Sequence, residues 1–302
     1  EAATSLDDTD AAMRNNLGNA WLRKGVWELA RGGDAEASMG RAVEAYDEAM
    51  ERMPEMAELL GNRGTAWTYL GKIAAGRKGD PTEAWEKAEA DLGRALDLKA
   101  DPGMYGAHRA DLRLARAAWK ASRGEDAAEE YRSAIEDCTR VLDESPSSPD
   151  GLLQRMKARL AYGQWLASSG KDPRDAYEGA LADGGAASKI RPGLTAAHAY
   201  RGMTWRALAT WQEKGGEDPR PSCRRAIEAY GRALTLDAGD PSLPYNRGNA
   251  WLAIGTWEAA HGEDARAALE SAIEDYRGSL DRDARFWRGL VNAGDALERL
   301  GR

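Results

Sequence analysis

The chain is poor in the residues that most often announce chemistry. Its 302 residues include three histidines, two cysteines and a single phenylalanine. Cys138 and Cys223 are too few for a disulfide scaffold and lack the paired spacing of a zinc ligand set. They read as reduced thiols in a cytoplasmic setting. Cys138 shares a column with Tyr46, Tyr230 and Tyr276, which predicts a buried, inert thiol. His108, His198 and His261 form no i, i+4 pair, so no metal is expected. No apolar run approaches the roughly 18 residues of a membrane span, and no signal peptide opens the chain. A net charge of -8 and a pI near 5.2 leave no basic face to displace counterions from phosphates, which excludes a general nucleic-acid binder. The glycines and lysine of Gly64 to Lys72 have neither the spacing nor the following Ser/Thr of a phosphate loop. No Ser or Cys stands in a nucleophile turn. Neither an enzyme nor a cofactor is therefore expected. The first residue is Glu1 rather than Met, which reads as a processed or excised segment.

What the chain does have is a period of 46 residues. Asp34, Asp80, Asp126, Asp172, Asp218 and Asp264 recur at that interval, as do Ala42, Ala88, Ala134, Ala180, Ala226 and Ala272. Arg63, Arg109, Arg155, Arg201 and Arg247 make a third column, and Trp27, Trp119, Trp165, Trp211 and Trp257 a fourth. A length of 302 residues alone suggests two domains. The period replaces that reading with one array, with units at about 9–54, 55–100, 101–146, 147–192, 193–238 and 239–284. Residues 285–302 supply a last helix without a partner, either a cap or a cut through a longer array. Residues 1–8 align with 47–54 and are expected to be the tail of a second-type helix.

Each unit reads as two helices. Glycine suits the left-handed residue that ends the first helix, as at Gly124, Gly216 and Gly262. The recurring Asp then caps the second helix, and Pro81, Pro173 and Pro219 follow it where proline is tolerated. Pro54, Pro146 and Pro192 close three units. The second helix carries an apolar stripe such as Ala272, Ile273, Tyr276 and Leu280. Helix pairs of this kind bury their faces only by stacking, which predicts an all-α solenoid of antiparallel pairs. Tryptophan columns facing a small-residue column (Gly18, Gly64, Gly202, Gly248, Gly294) suit interdigitated packing. The alternative for the tryptophans is an aromatic ligand cage. Gly179, Gly184 and Gly185 in one second helix predict a weak element, a bend or a close backbone approach.

The segment Asn246-Arg247-Gly248-Asn249-Ala250-Trp251 with Ala272, Tyr276, Leu280 and the closing prolines resembles the tetratricopeptide repeat family. The resemblance covers nearly the whole chain, in an extended form. Twelve residues beyond the usual unit of about 34 fall around the turn, giving a first helix of about 30 Å. This longer form is similar to arrays in large multidomain bacterial proteins, some attached to signalling kinases. The resemblance implies a right-handed superhelix whose first helices line a concave groove. It implies groove positions at Asn16, Asn62, His108, Gln154, Tyr200 and Asn246 (with Asn292), and at Asn19, Thr65, Asp111, Lys157, Met203 and Asn249 (with Asp295). Amide side chains there suit the backbone of an extended peptide, since they donate and accept. Alternatively they bond to neighbouring helices and fix the array. Some members grip a C-terminal carboxylate with Asn and basic residues. Asn19 and Asn62 match the two Asn positions, but Asn15, Met104 and His108 stand where the bases belong.

The Arg column reads either as a track for anionic ligands or as exposed ion pairs to second-helix acids, of about 0–1 kcal/mol each. The expected function is a protein- or peptide-binding scaffold. The alternatives are a structural spacer that self-associates head to tail through its ends, and a ligand-sensing domain of a larger signalling protein.

Overall fold

The computed structural model describes residues 2–301, with side chains from residue 10 onward. Among these residues there are thirteen helices and no strand. Contacts divide the chain into two compact units, Glu1–Pro146 and Ser147–Arg302. The first unit holds α1 (Ala2–Ala30), α2 (Glu36–Met50), α3 (Ala57–Gly76), α4 (Thr82–Asp97), α5 (Pro102–Ser122) and α6 (Ala128–Glu144). The second holds α7 (Pro149–Ser168), α8 (Arg174–Ile190), α9 (Thr195–Lys214), α10 (Arg220–Leu236), α11 (Ser242–Ala260), α12 (Arg266–Arg282) and α13 (Trp287–Gly301). Within each unit every helix packs on the next, and successive first-type helices also touch, α3 on α1 and α5, α9 on α7 and α11. The expected all-α architecture of stacked helix pairs is what forms.

The second helices begin 46 residues apart, each two residues after the recurring Asp. The capping bond is present at all six sites, but from one residue further out than expected. The N-cap position falls on Ala35, Pro81, Ala127, Pro173, Pro219 and Ala265. An Oδ1 of the preceding Asp34, Asp80, Asp126, Asp172, Asp218 and Asp264 accepts the backbone N–H two residues on, at 2.8–3.1 Å. These are orphan donors of a helix start, which no carbonyl reaches. Side-chain hydrogen bonds from Thr82 and Arg174, and then the backbone ones, hold the Asp80 and Asp172 carboxyls below the usual range.

Five of the six turns reverse through a left-handed glycine, Gly32, Gly124, Gly170, Gly216 and Gly262, with φ of 70 to 77°. The sixth member of that column is Lys78, at φ 59°. A side chain there crowds the following carbonyl, at a cost of about 1–2 kcal/mol. Lys78→Gly is expected to raise stability by about 0.5–1 kcal/mol, part of the relief being offset by the freer unfolded chain. A urea midpoint that does not rise would show that the lysine's own contacts balance the strain.

The expected second-helix tail over residues 1–8 is not a separate element. The backbone runs unbroken through α1 from Ala2, and Glu1 lies outside the described residues. The position occupied by Pro54, Pro146 and Pro192 is here Asp8, so nothing interrupts the helix.

All six members of the alanine column are fully buried. Around them, large and small residues alternate across each helix pair. The residue 28 positions after each small-column position complements it, with the sizes reversed in the fourth repeat, where the column holds Met156 and the later residue is Gly184. The pairs are Gly18 with Tyr46, Gly64 with Leu92, Ala110 with Cys138, Met156 with Gly184, Gly202 with Tyr230, and Gly248 with Tyr276. A Cβ on Gly202 would stand 2.6 Å from the Tyr230 ring, and one on Gly184 2.7 Å from Met156 Sδ. Helix α8 is therefore continuous despite its glycines, and Gly184 is a site of close approach. A second set, 14 positions apart, pairs Gly25 with Met39, Gly71 with Trp85, Gly163 with Tyr177 and Gly255 with Leu269.

The tryptophan columns correct an expectation in part, for most of them pack against the core from its margin and do not fill it. Trp165 is buried, but Trp27 is 56% exposed and most of the others are half-buried. Cations cover their faces instead: Arg41 over Trp21 at 4.6 Å, Lys87 over Trp67 at 4.5 Å, Arg31 over Trp27 at 4.1 Å and Arg123 over Trp119 at 4.8 Å. An indole is too large to interleave fully in every repeat, so tyrosine, leucine and methionine fill the interior. Its exposed face attracts a guanidinium or ammonium.

Candidate interaction surface

The two polar columns lie where successive first helices meet. In the first unit, Asn62 Nδ2 donates to Asn15 Oδ1 at 3.2 Å and its Oδ1 accepts from the Tyr105 hydroxyl at 3.1 Å. Asn19 Oδ1 accepts from Tyr46 at 2.8 Å, and Asp111 pairs with Lys72. Thr65 donates to the Gly61 carbonyl and lies 2.7 Å from His108 Nδ1. Burial holds the His108 imidazole below its ordinary range and pushes Tyr105 up to about 12. Asn16 is exposed.

In the second unit, Asn249 Oδ1 accepts from Tyr276 at 2.8 Å and from Asn292 at 3.0 Å. Lys157 Nζ stands 5.2 Å over the Tyr200 ring. Gln154 and Asn246 are half-buried, and Met203 is 37% exposed. Asn19, Asn62 and Asn249 thus join helices, while Asn16 and Met203 face solvent. Asp295 is also exposed.

The Arg column turns inward. Arg63, Arg109, Arg155 and Arg247 each present Nε and Nη2 to the aspartate 28 residues later, Asp91, Asp137, Asp183 and Asp275, at 2.5–3.1 Å. These aspartates are buried, so the pairs are not the exposed ones expected. In the third and fourth repeats a second arginine joins: Arg113 Nη1 lies 2.9 Å from Asp137, and Arg159 Nη1 2.7 Å from Asp183. A guanidinium fork matches a carboxylate edge with two parallel bonds, which ties each first helix to its own second helix. The partner column was readable beforehand as four aspartates at one register. Ala229 breaks it opposite Arg201.

The two thiols behave as expected of buried groups. Cys138 and Cys223 are both buried, and burial pushes the Cys223 thiol up to about 11.

No family model matches the chain, and no curated protein matches it in sequence. Solved structures do share its fold. The nuclear import adaptor Nro1 of S. pombe superposes with a TM-score of 0.60 at 12% identity, over 91% of this chain and 94% of the other. A thermophilic tetratricopeptide repeat protein of Thermus thermophilus aligns with a TM-score of 0.47 at 16% identity, over 93% and 98%. In fold, the chain is an all-α array of the tetratricopeptide type. No helix among the described residues is long and apolar enough to cross a membrane.

Proposed function

We propose that the chain is a scaffold that docks extended protein segments on the faces formed by its first helices. The carrying observation is the polar seam along those helices. It combines fixed amides (Asn19, Asn62, Asn249) with exposed or half-buried positions beside them (Asn16, Gln154, Met203, Asn246). The fixed amides are held by the hydroxyls of Tyr46, Tyr105 and Tyr276 and by the neighbouring amides of Asn15 and Asn292, so the surface is formed before a ligand arrives, which lowers the ordering cost of binding. The adaptor role named for the structurally similar Nro1 is of the same class.

A photo-crosslinking residue at Asn16 or Met203, tested against a displayed peptide library, is expected to capture peptides. The same probe at Glu136, an exposed second-helix position, is expected to stay silent. Capture only from Glu136 would overturn the reading.

One observation favours head-to-tail self-association as a second reading. Met13 and Leu17 on α1, and Leu290, Val291 and Leu297 on α13, are each at least 50% exposed. Light scattering that does not change with concentration would remove it.

A further inference from the structure

Repetition provides an internal control for every position, and one position fails it. Arg201 keeps the place of the four paired arginines, but the residue 28 positions on is Ala229 instead of aspartate. Arg201 Nε is buried and has no hydrogen-bond partner, and among the described residues no carboxylate lies within ion-pair distance of this side chain. A buried donor left unmade costs more than an average hydrogen bond contributes. The atom is also not free to leave, since the arginine stem packs on Gly184 of α8.

The surroundings point the same way. Arg201 lines a cleft of about 410 Å3 between α8, α9 and α10, with Ser188, His198, Arg225, Ala229 and Arg232. His198 Nδ1 is a second buried atom without a partner there. Arg225 stacks over Trp205 at 4.9 Å, and neither it nor Arg232 makes an ion pair among the described residues. Three guanidiniums thus face a cleft whose rim carries one acid, Glu228.

The third repeat shows what belongs in this place. A cleft of the same construction lies 92 residues earlier, where Leu96, Gly106, Arg109, Asp137 and Arg140 stand for Ser188, His198, Arg201, Ala229 and Arg232. There the Asp137 carboxylate receives Arg109 Nε at 3.1 Å and Nη2 at 2.7 Å, with Arg140 Nη1 at 3.7 Å. Glu136, the counterpart of Glu228, pairs separately with Arg140 at 2.6 Å, so an acid at the rim does not substitute for the one inside. The cleft recurs in both repeats; an arginine kept in its column without the aspartate is particular to the fifth, since the first repeat, with Leu17 and Ala45, lacks both members.

We propose that the fifth repeat binds a carboxylate brought by a ligand, held by the fork of Arg201 and by Arg232 where other repeats supply their own aspartate. The site lies between first and second helices rather than along the first-helix seam, and it stands whether or not that seam docks a peptide. A guanidinium fork selects a planar carboxylate edge by geometry as well as by charge, and a ligand that binds only the folded chain raises its melting temperature.

The test uses the full chain, with succinate as the probe and phosphate at matched ionic strength as the comparison. Succinate is expected to raise the melting temperature of the native chain and to bind measurably in calorimetry. Ala229→Asp restores the internal partner. It is expected to melt higher than the native chain without ligand and to bind succinate at least about tenfold more weakly. Arg201→Gln is expected to lose the succinate response as well, which keeps the test decisive if Ala229→Asp folds poorly. Equal responses from the native chain and both variants would overturn the site. Phosphate bound in preference to succinate would overturn the assignment of a carboxylate.

Discussion

Asp137→Ala is expected to destabilise the first unit by about 3–5 kcal/mol, the range seen when one partner of a buried ion pair is removed. The Asp137 side chain is wholly inaccessible, and the two nearest guanidiniums, from Arg109 and Arg113, are 13% and 17% exposed. Its loss leaves Arg109 without an acid and Arg113 with only its bond to Glu89 at 2.8 Å, two like charges side by side with little water to receive them. An exposed pair supplies the control. Arg191 meets Asp150 through two bonds of 2.9–3.0 Å, but with side chains 48% and 70% exposed, and Asp150→Ala is expected to cost no more than about 1 kcal/mol. Because the chain has two compact units, a single unfolding midpoint need not describe both. Hydrogen exchange across α5 and α6 for Asp137→Ala, and across α7 and α8 for Asp150→Ala, is therefore the appropriate reading. Equal losses for the two variants would show that burial does not govern the strength of these pairs.

The fifth repeat already carries the alanine that this experiment introduces, and it differs in an instructive way. The counterpart of Arg113 there is Trp205, so the missing aspartate leaves Arg201 with no second arginine crowded against it. The repeats that keep a tryptophan at this column and an aspartate at the other, with Arg63 and Arg247, hold one arginine per carboxylate. Charge at the inner site thus varies in steps from repeat to repeat, and only Arg201 is left without its internal acid.

These steps show which part of the molecule was legible in sequence. A column is visible when one residue type recurs, and the caps at Asp34 to Asp264 and the buried alanines at Ala42 to Ala272 were read on that basis. A pair of columns is harder to see when each member changes size. Gly18 with Tyr46, Ala110 with Cys138 and Met156 with Gly184 fill the same place in the repeat without sharing an identity. Read singly, Gly184 looked like a defect of α8; read with Met156, it is the space a larger neighbour occupies. The tryptophans misled for the converse reason. Their regularity suggested the interior, whereas an indole also recurs at a surface when each copy supports a basic side chain, as Trp21 and Trp67 do. For the polar seam, identity could not decide between docking and bracing. Asn62 and Asn16 are the same residue in one column, yet Asn62 is tied to Asn15 and Tyr105 while Asn16 faces solvent.

Gly18→Ala tests this pairing, with an expected loss of about 1–3 kcal/mol from overpacking. In an exposed helix interior the same change would stabilise by about 1 kcal/mol, because alanine is the better helix former. The sign therefore identifies the contact. A Cβ on Gly18 would stand 2.5 to 2.8 Å from three atoms of the Tyr46 ring. That ring is fully buried, and its hydroxyl is anchored on Asn19 at 2.8 Å, so it has nowhere to turn. Tyr46→Cys imports the partner that accompanies Ala110 in the third repeat. On its own it is expected to cost about 3–5 kcal/mol, as other large aromatic deletions do. In that background Gly18→Ala should become neutral or stabilising, because the methyl enters the vacated space. The expected coupling between the two positions is about 1–3 kcal/mol, the size found for side chains in direct contact. Urea denaturation of the four proteins in the cycle measures it. A Gly18→Ala penalty that is the same with tyrosine and with cysteine at position 46 would mean that the glycine is required by the helix backbone itself. The pairing at 28 residues would then lose its physical basis.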